Sequence, residues 1–153
     1  MSVFTDMLTA LDTKLKTCSY ITSASNVVFG EVVDIMGLQD SDFPRLETLV
    51  VKIPDEGYIS QTGKKWNLRL ATAGYYKIAT DSDFVSVTDY GIITDFAYEV
   101  KGLVESFNQD KQDGLLTVSG FLQVGDFGTI WIEKELIPQT LSFMFDYSFD
   151  FYL

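Results

Sequence analysis

The side chains able to do chemistry are almost all carboxylates: 22 Asp and Glu stand against 11 Lys and Arg, with one cysteine and no histidine in 153 residues. Without histidine, Cys/His zinc sites, histidine-based triads and imidazole acid–base catalysis are excluded. Cys18 cannot form an internal disulfide, and with no histidine to form an ion pair it reads as a small packed or surface residue, not a nucleophile. The carboxylates fall in pairs, Asp40 with Asp42, Asp81 with Asp83 and Asp110 with Asp113, each in a polar turn beside Ser or Gly. Such pairs could hold a divalent ion, but they lack the oxygen-ligand spacing and terminal Glu of an EF-hand. Asp side chains capping their own local backbone explain them better. Asp146 and Asp150 share one face of a strand, roughly 13 Å apart along it. Paired carboxylates in glycoside hydrolysis need about 5 to 9.5 Å. The glycine-bearing pieces GFLQVGDFG and TAGYY match neither the dinucleotide fingerprint nor the Walker pattern. The expectation is a chain with no catalytic residue, no cofactor and no metal.

The elements that would position any site begin with a helix. From residue 2 to 18, Val3, Phe4, Met7, Leu8, Leu11 and Leu15 recur at helical spacing with Asp6, Asp12, Lys14 and Lys16 between them. Ser2 can cap it, and the acidic-first, basic-last order suits the helix dipole. The β-branched stretch VVFGEVVDIMG reads as extended with a bend at Gly30. An acidic turn over Asp40 to Asp42 leads to a Phe43-Pro44 step that forbids helix continuation. A core strand is then expected from Leu46 to Ile53, stopped by Pro54. Residues 55–65 read as a long polar hairpin connection into a strand where Trp66, Leu68 and Leu70 alternate with Asn67, Arg69 and Ala71. Short strands are possible over residues 75–79 and 84–87. A second helix spans residues 91–107 on the stripe Ile92, Ile93, Phe96, Ala97, Val100, Leu103, Val104 and Phe107, with Asp89 as its cap. Further alternation follows at Leu116, Val118, residues 120–124 and residues 129–132.

The last fifteen residues, QTLSFMFDYSFDFYL, carry the strongest pattern. Leu141, Phe143, Phe145, Tyr147, Phe149, Phe151 and Leu153 fall at every second position, with Ser142, Asp146, Ser148 and Asp150 between them. This is a strand whose aromatic face anchors the sheet to the helices, leaving the polar face for solvent, a neighbour or a lumen. The whole reads as one α+β domain over residues 1–153, a largely antiparallel (mixed) sheet with two amphipathic helices on one face.

Composition narrows the partners. With 46% hydrophobic residues the chain is too apolar for a disordered protein. No apolar stretch reaches the ~18 residues of a membrane span, and the polar N-terminus lacks a basic region followed by an apolar block. A soluble protein without a signal peptide is expected. The net charge of −11 argues against adhesion to nucleic acid or an anionic membrane.

In order of elements the chain resembles the tail terminator, or tail-to-head joining, proteins of long-tailed bacteriophages. Four pieces carry the resemblance: the helix FTDMLTALDTKLK; the acidic turn, Phe-Pro step and strand of DSDFPRLETLVVKIP; the hairpin and strand of GKKWNLRLATAG; and the helix DFAYEVKGLVESF with terminal strands closing in LSFMFDYSFDFYL. The resemblance implies a non-enzymatic homo-hexameric ring that caps the tail tube, stops its polymerisation and joins head-connector or neck proteins. It also implies a place in the virion tail or neck after assembly in the host cytoplasm. DNA would pass an acidic lumen without specific binding, since each added Lys or Arg contact to phosphate would increase retention. For contact between rings the hairpin residues Tyr58, Gln61, Lys64 and Lys65 are expected, and for the lumen Asp40, Asp42, Asp110 and Asp113. A neighbouring neck or tail-completion protein, or an acidic binding or immunity-type adaptor unrelated to virions, stays open as an alternative.

Overall fold

The computed structural model describes residues 3–30, 37–58, 64–78, 85–109, 121–134 and 139–152. Two helices, α1 (Val3–Leu15) and α2 (Val87–Gln109), accompany six strands: β1 (Val27–Phe29), β2 (Arg45–Tyr58), β3 (Lys64–Lys77), β4 (Phe121–Phe127), β5 (Trp131–Lys134) and β6 (Thr140–Tyr152). The fold is α+β with a mixed sheet in the order β1-β2-β3-β6-β4, and β5 also pairs with β6. β1 runs parallel to β2, and every other pairing is antiparallel. β4 and β5 share one side of β6 at different heights: Phe127 stands opposite Tyr147, and Trp131 opposite Met144. Between them the chain steps outward, held by the Gly128 N–H donating to the Asp146 carbonyl at 2.7 Å. An added Cβ at Gly128 would lie 2.2 Å from Asp146 Oδ1 and 3.0 Å from the Asp146 carbonyl, so a larger residue there would displace the exposed Asp146 side chain.

The alternation in β6 sets the core. Leu141, Phe143, Phe145, Tyr147 and Phe149 are all buried on the helix-bearing face. The register carries that face onto Gly74, Thr72, Leu70 and Leu68 of β3, and on to Leu46 and Thr48 of β2. Phe96 of α2 meets Phe143 edge-on at 5.0 Å, and Phe107 meets Phe149 at 5.4 Å. Each ring so buried is worth about 1.5–3 kcal/mol over leaving it in water. Met7, Leu11 and Leu15 bring α1 into the same cluster. Just after α1, Ser19 donates to Glu99 through both N (2.8 Å) and Oγ (2.6 Å), and Tyr20 stacks on Phe96 at 5.3 Å. The two helices are thus tied to each other as well as to the sheet. Inside this face Thr48, Thr72 and Tyr147 form a buried hydroxyl chain across β2, β3 and β6, at 3.0 and 2.9 Å. Without it, three hydroxyls would be desolvated in an apolar layer.

Several sequence expectations are corrected. Pro54 does not end β2, which continues to Tyr58. Among the described residues β1 pairs with β2 only at Leu46, Glu47 and Thr48. At Pro54, moreover, the β2–β3 register is irregular, a place where a missing N–H is tolerated. The hairpin connection expected over residues 55–65 is accordingly shorter, with Tyr58 already opposite Lys64. Val50 and Val51 lie at a register shift and are exposed (44% and 60%), so the core run expected from Leu46 to Ile53 is interrupted there. Tyr75, Tyr76 and Lys77 extend β3 instead of forming a separate strand. Val87 opens α2, and Asp89 is not its cap: Ser86 Oγ accepts from Asp89 N at 3.0 Å while Asp89 Oδ2 accepts from Ser86 N at 3.2 Å, a reciprocal pair spanning three residues. The polar face of β6 is also less open than alternation implies. Among the described residues of that face, Ser142, Ser148 and Asp150 are buried, while Met144 and Asp146 stand out. A central strand has a neighbour on each side, and short side chains between longer ones lose their water. The bend at Gly30 is present, with φ at 114°. Leu116 and Val118 lie outside the described residues, as do Phe84 and Leu153. No helix among the described residues is long and apolar enough to cross a membrane.

Candidate interaction surfaces

The acidic turn before β2 is held by its own carboxylates. Asp42 Oδ2 accepts from the Gln39 N–H at 2.7 Å and closes the single 3-10 turn Asp40–Asp42. Asp40 points outward, its side chain 88% exposed, and accepts from Lys77 Nζ at 2.5 Å. Lys77 Nζ also lies 5.9 Å from the centre of the Phe43 ring, within cation–π range. The turn, the start of β2 and the end of β3 thus meet in a pocket of about 290 Å³, lined by Asp40, Phe43, Pro44, Tyr76, Lys77, Ile78 and Gln139. Phe43-Pro44 is a cis peptide, and Gln139 has φ 66°, with its carbonyl accepting from Ile78 N at 2.6 Å. The pocket lining is polar and apolar in equal measure, with Phe43, Pro44, Tyr76 and Ile78 beside the charged Asp40 and Lys77.

Of the residues expected at the lumen, Asp40 and Asp42 therefore sit in one turn, one ion-paired and outward, the other spent on the backbone. Asp110 and Asp113 lie outside the described residues, as do Asp81 and Asp83. Of those expected at the ring contact, Tyr58, Lys64 and Lys65 fall at the paired ends of β2 and β3, the far end of the sheet from the pocket. Gln61 lies outside the described residues.

On the face of the sheet away from the helices, Asp150 accepts from Asn67 Nδ2 at 2.8 Å, and Asp146 pairs with Arg69 at 3.3 Å. Both carboxylates thus serve cross-strand contacts. Arg45 and Glu47, two residues apart on the same face of β2, form a buried ion pair at 3.0 Å. No group of three or more potential metal ligands occurs among the described residues. The thiol of Cys18 is pushed up to about 11, first by burial, with the nearby Glu99 carboxylate acting in the same direction. A nucleophilic cysteine needs the opposite shift. Burial likewise raises the Tyr147 phenol above its ordinary value, despite its bonds to threonine hydroxyls. These shifts move both groups away from neutral-pH chemistry.

The surface instead offers contact. Trp131 is 64% exposed and stands opposite Met144, itself 50% exposed, on the face away from the helices; Ile132 is partly exposed on the other face. Along that face Met144 neighbours Ala73, and Asp146 neighbours Ala71, so the two exposed side chains of β6 stand beside small residues of β3. Alternation alone could not single out Trp131, because it looks the same for a covered strand and an outermost one. The pocket was beyond sequence reading for another reason: its lining comes from three separated segments.

No protein-family model matches the chain, and no curated protein matches it either.

Proposed function

We propose that the protein is a non-enzymatic structural subunit of a long-tailed bacteriophage virion, a tail terminator whose ring caps the tail tube, stops its polymerisation and joins it to the head connector. One observation carries this reading. The β4/β5 side of the sheet has no further strand beside it among the described residues, and next to it lies the exposed group Trp131, Ile132 and Met144. An uncovered sheet edge bordered by large apolar side chains is a liability in a free monomer and an asset in a subunit that meets copies of itself. The resemblance in element order supplies the kind of assembly. Charge supports it: six chains at −11 place about −66 on a ring before counterion screening, which lets DNA slide through unheld.

A second reading, an acidic adaptor that binds one basic partner, is favoured by the same −11 charge. It predicts a monomer or dimer whose affinity for that partner falls steeply with added salt.

The test is mass and capture. Sedimentation of the purified chain, alone and with purified tail tubes, should give a closed hexamer of about 103 kDa from the 17.2-kDa subunit, or rings seated on tube ends in negative stain. A chain that never associates with tail-tube protein, and leaves tube lengthening unaffected, would end the terminator reading.

A further inference from the structure

We infer that Trp131 is the anchor of the contact between copies of this chain, and that it seats in the pocket between Phe43, Pro44 and Tyr76 of the next copy. This rests on the self-assembly reading above and names its surfaces.

Three features point to this pairing. First, exposure at Trp131 is not an isolated apolar side chain: Met144 lies directly opposite it in the register, so the two form one raised patch. Tryptophan is the residue most enriched among side chains that dominate binding energy, and such anchors fill pockets on the partner. Second, the pocket suits an indole. Its volume of about 290 Å³ accommodates one large side chain, its walls include Phe43, Pro44 and Tyr76, and the exposed Asp40 carboxylate at the rim can accept from the indole N–H. Third, the charges match. Glu133 is exposed and shares the Trp131 face of β5, about 6.6 Å further along the strand. Lys77, at the pocket rim, has three ammonium protons and so can serve a second carboxylate beside Asp40.

Patch and pocket lie at different places on one subunit. Trp131 is level with Met144, whereas the pocket is built around Gln139 and Lys77, four or five residues lower along β6 and on the β2 and β3 side. A knob and socket at separate places make a head-to-tail contact, the kind that generates rings.

The experiment uses the full chain. Trp131→Ala should weaken self-association by about 30-fold or more, the scale of a dominant interface residue. Lys77→Glu should weaken it as well, by opposing Glu133. Mixing the two variants should restore one contact, because the Trp131→Ala chain keeps its socket and the Lys77→Glu chain keeps its knob. Sedimentation of the mixture should then show a heterodimer of about 34 kDa and nothing larger. In a Trp66→Phe chain, Trp131 is the sole indole, and its emission should shift to the blue as concentration drives assembly. Self-association unchanged by Trp131→Ala, a mixture that stays monomeric, or emission that does not move on assembly would each overturn the assignment. A wild-type chain monomeric at every concentration would overturn it too. Capture by tail tubes in that last case would leave the terminator reading standing, which separates the two failures.

Discussion

Replacing Gly74 with alanine should destabilise the protein, although alanine in place of a strand glycine ordinarily gains about 0.5–1 kcal/mol. A β-carbon at Gly74 would stand 2.1 Å from Phe143 Cε1 and 2.3 Å from Cζ. Carbon atoms in contact prefer about 3.5–4.0 Å, so the ring would have to retreat by roughly 1.5 Å. Its way is blocked. Phe96 meets Phe143 edge-on at 5.0 Å, and Phe145 stacks against it at 6.1 Å, with all three rings buried. Overpacking a filled site costs about 1–3 kcal/mol, so after the ordinary gain a net loss of about 1 kcal/mol, and of about 2.5 at most, is expected. Gly102 is the control, since an added Cβ in that exposed part of α2 meets nothing within 4 Å. Gly102→Ala should gain about 0.5–1 kcal/mol. Urea unfolding followed by far-UV circular dichroism reads both, and the two midpoints should move in opposite directions at an unchanged slope. Phe143→Leu combined with Gly74→Ala should cost less than the sum of the single changes, by about 0.5–3 kcal/mol of coupling. A Gly74→Ala chain as stable as wild type, or strict additivity with Phe143→Leu, would refute the claim that the ring fills the space a β-carbon needs.

Other expectations follow from burial and capping. Phe145→Asp places a charge in the buried ring stack and should abolish folding, whereas Asp146→Ala loses only an exposed pair with Arg69 and should change stability by less than about 0.5 kcal/mol; a soluble, cooperatively melting Phe145→Asp chain would contradict this. Ser86→Ala should cost about 1 kcal/mol by removing the α2 cap, measured by the same urea titration, with no loss if the helix start is held otherwise. Alkaline pH should destabilise the fold. Cys18 is raised from its ordinary 9.0 to about 11, so between those values the native state keeps a proton that the unfolded chain has released. The stabilisation is complete below about pH 9 and is lost as pH rises through 11, about 3 kcal/mol in all. Tyr147 acts with the same sign from about pH 10 upward. Melting temperatures from pH 8 to 11 should fall, and the fall should be shallower in Cys18→Ala.

The elements read from sequence and those in the structure agree where the pattern is long and one-sided. β6 shows thirteen alternating residues, and the helical stripes of α1 and α2 have one apolar face each. Disagreement gathers where a second neighbour decides the outcome. Pro54 reads as a stop because a proline removes a ladder bond, yet among the described residues β1 pairs with β2 only as far as Thr48, and at Pro54 the β2–β3 register slips. Ser142, Ser148 and Asp150 read as facing solvent, a neighbour or a lumen, yet they are buried within the subunit, because alternation assigns a face but not what stands beside a residue on that face. Asp89 was recognisable as a capping residue, yet its exact role depends on Ser86 three positions earlier completing the reciprocal pair. The contact surfaces were hardest. Phe43, Lys77 and Gln139 are far apart in the chain, and only the β2–β3–β6 pairing gathers them.

For the proposed contact, a knob on β5 in a socket near the start of β2, the rotation from one subunit to the next decides the assembly. The same head-to-tail contact closes into a ring if that rotation divides a full turn, and otherwise runs on as an open helix. If the protein is the terminator proposed above, it cannot itself run on. The proposed contact is small, one large side chain in a pocket with one pair of charges at the rim, and on that reading its size is an advantage. On the proposed reading such a contact would not propagate filaments in dilute solution, and would gain strength when a tube end holds several copies side by side and raises their effective concentration to the millimolar range. On this account ring formation should show a sharp dependence on tube ends. Strengthening the knob alone should produce open aggregates before it produces more rings.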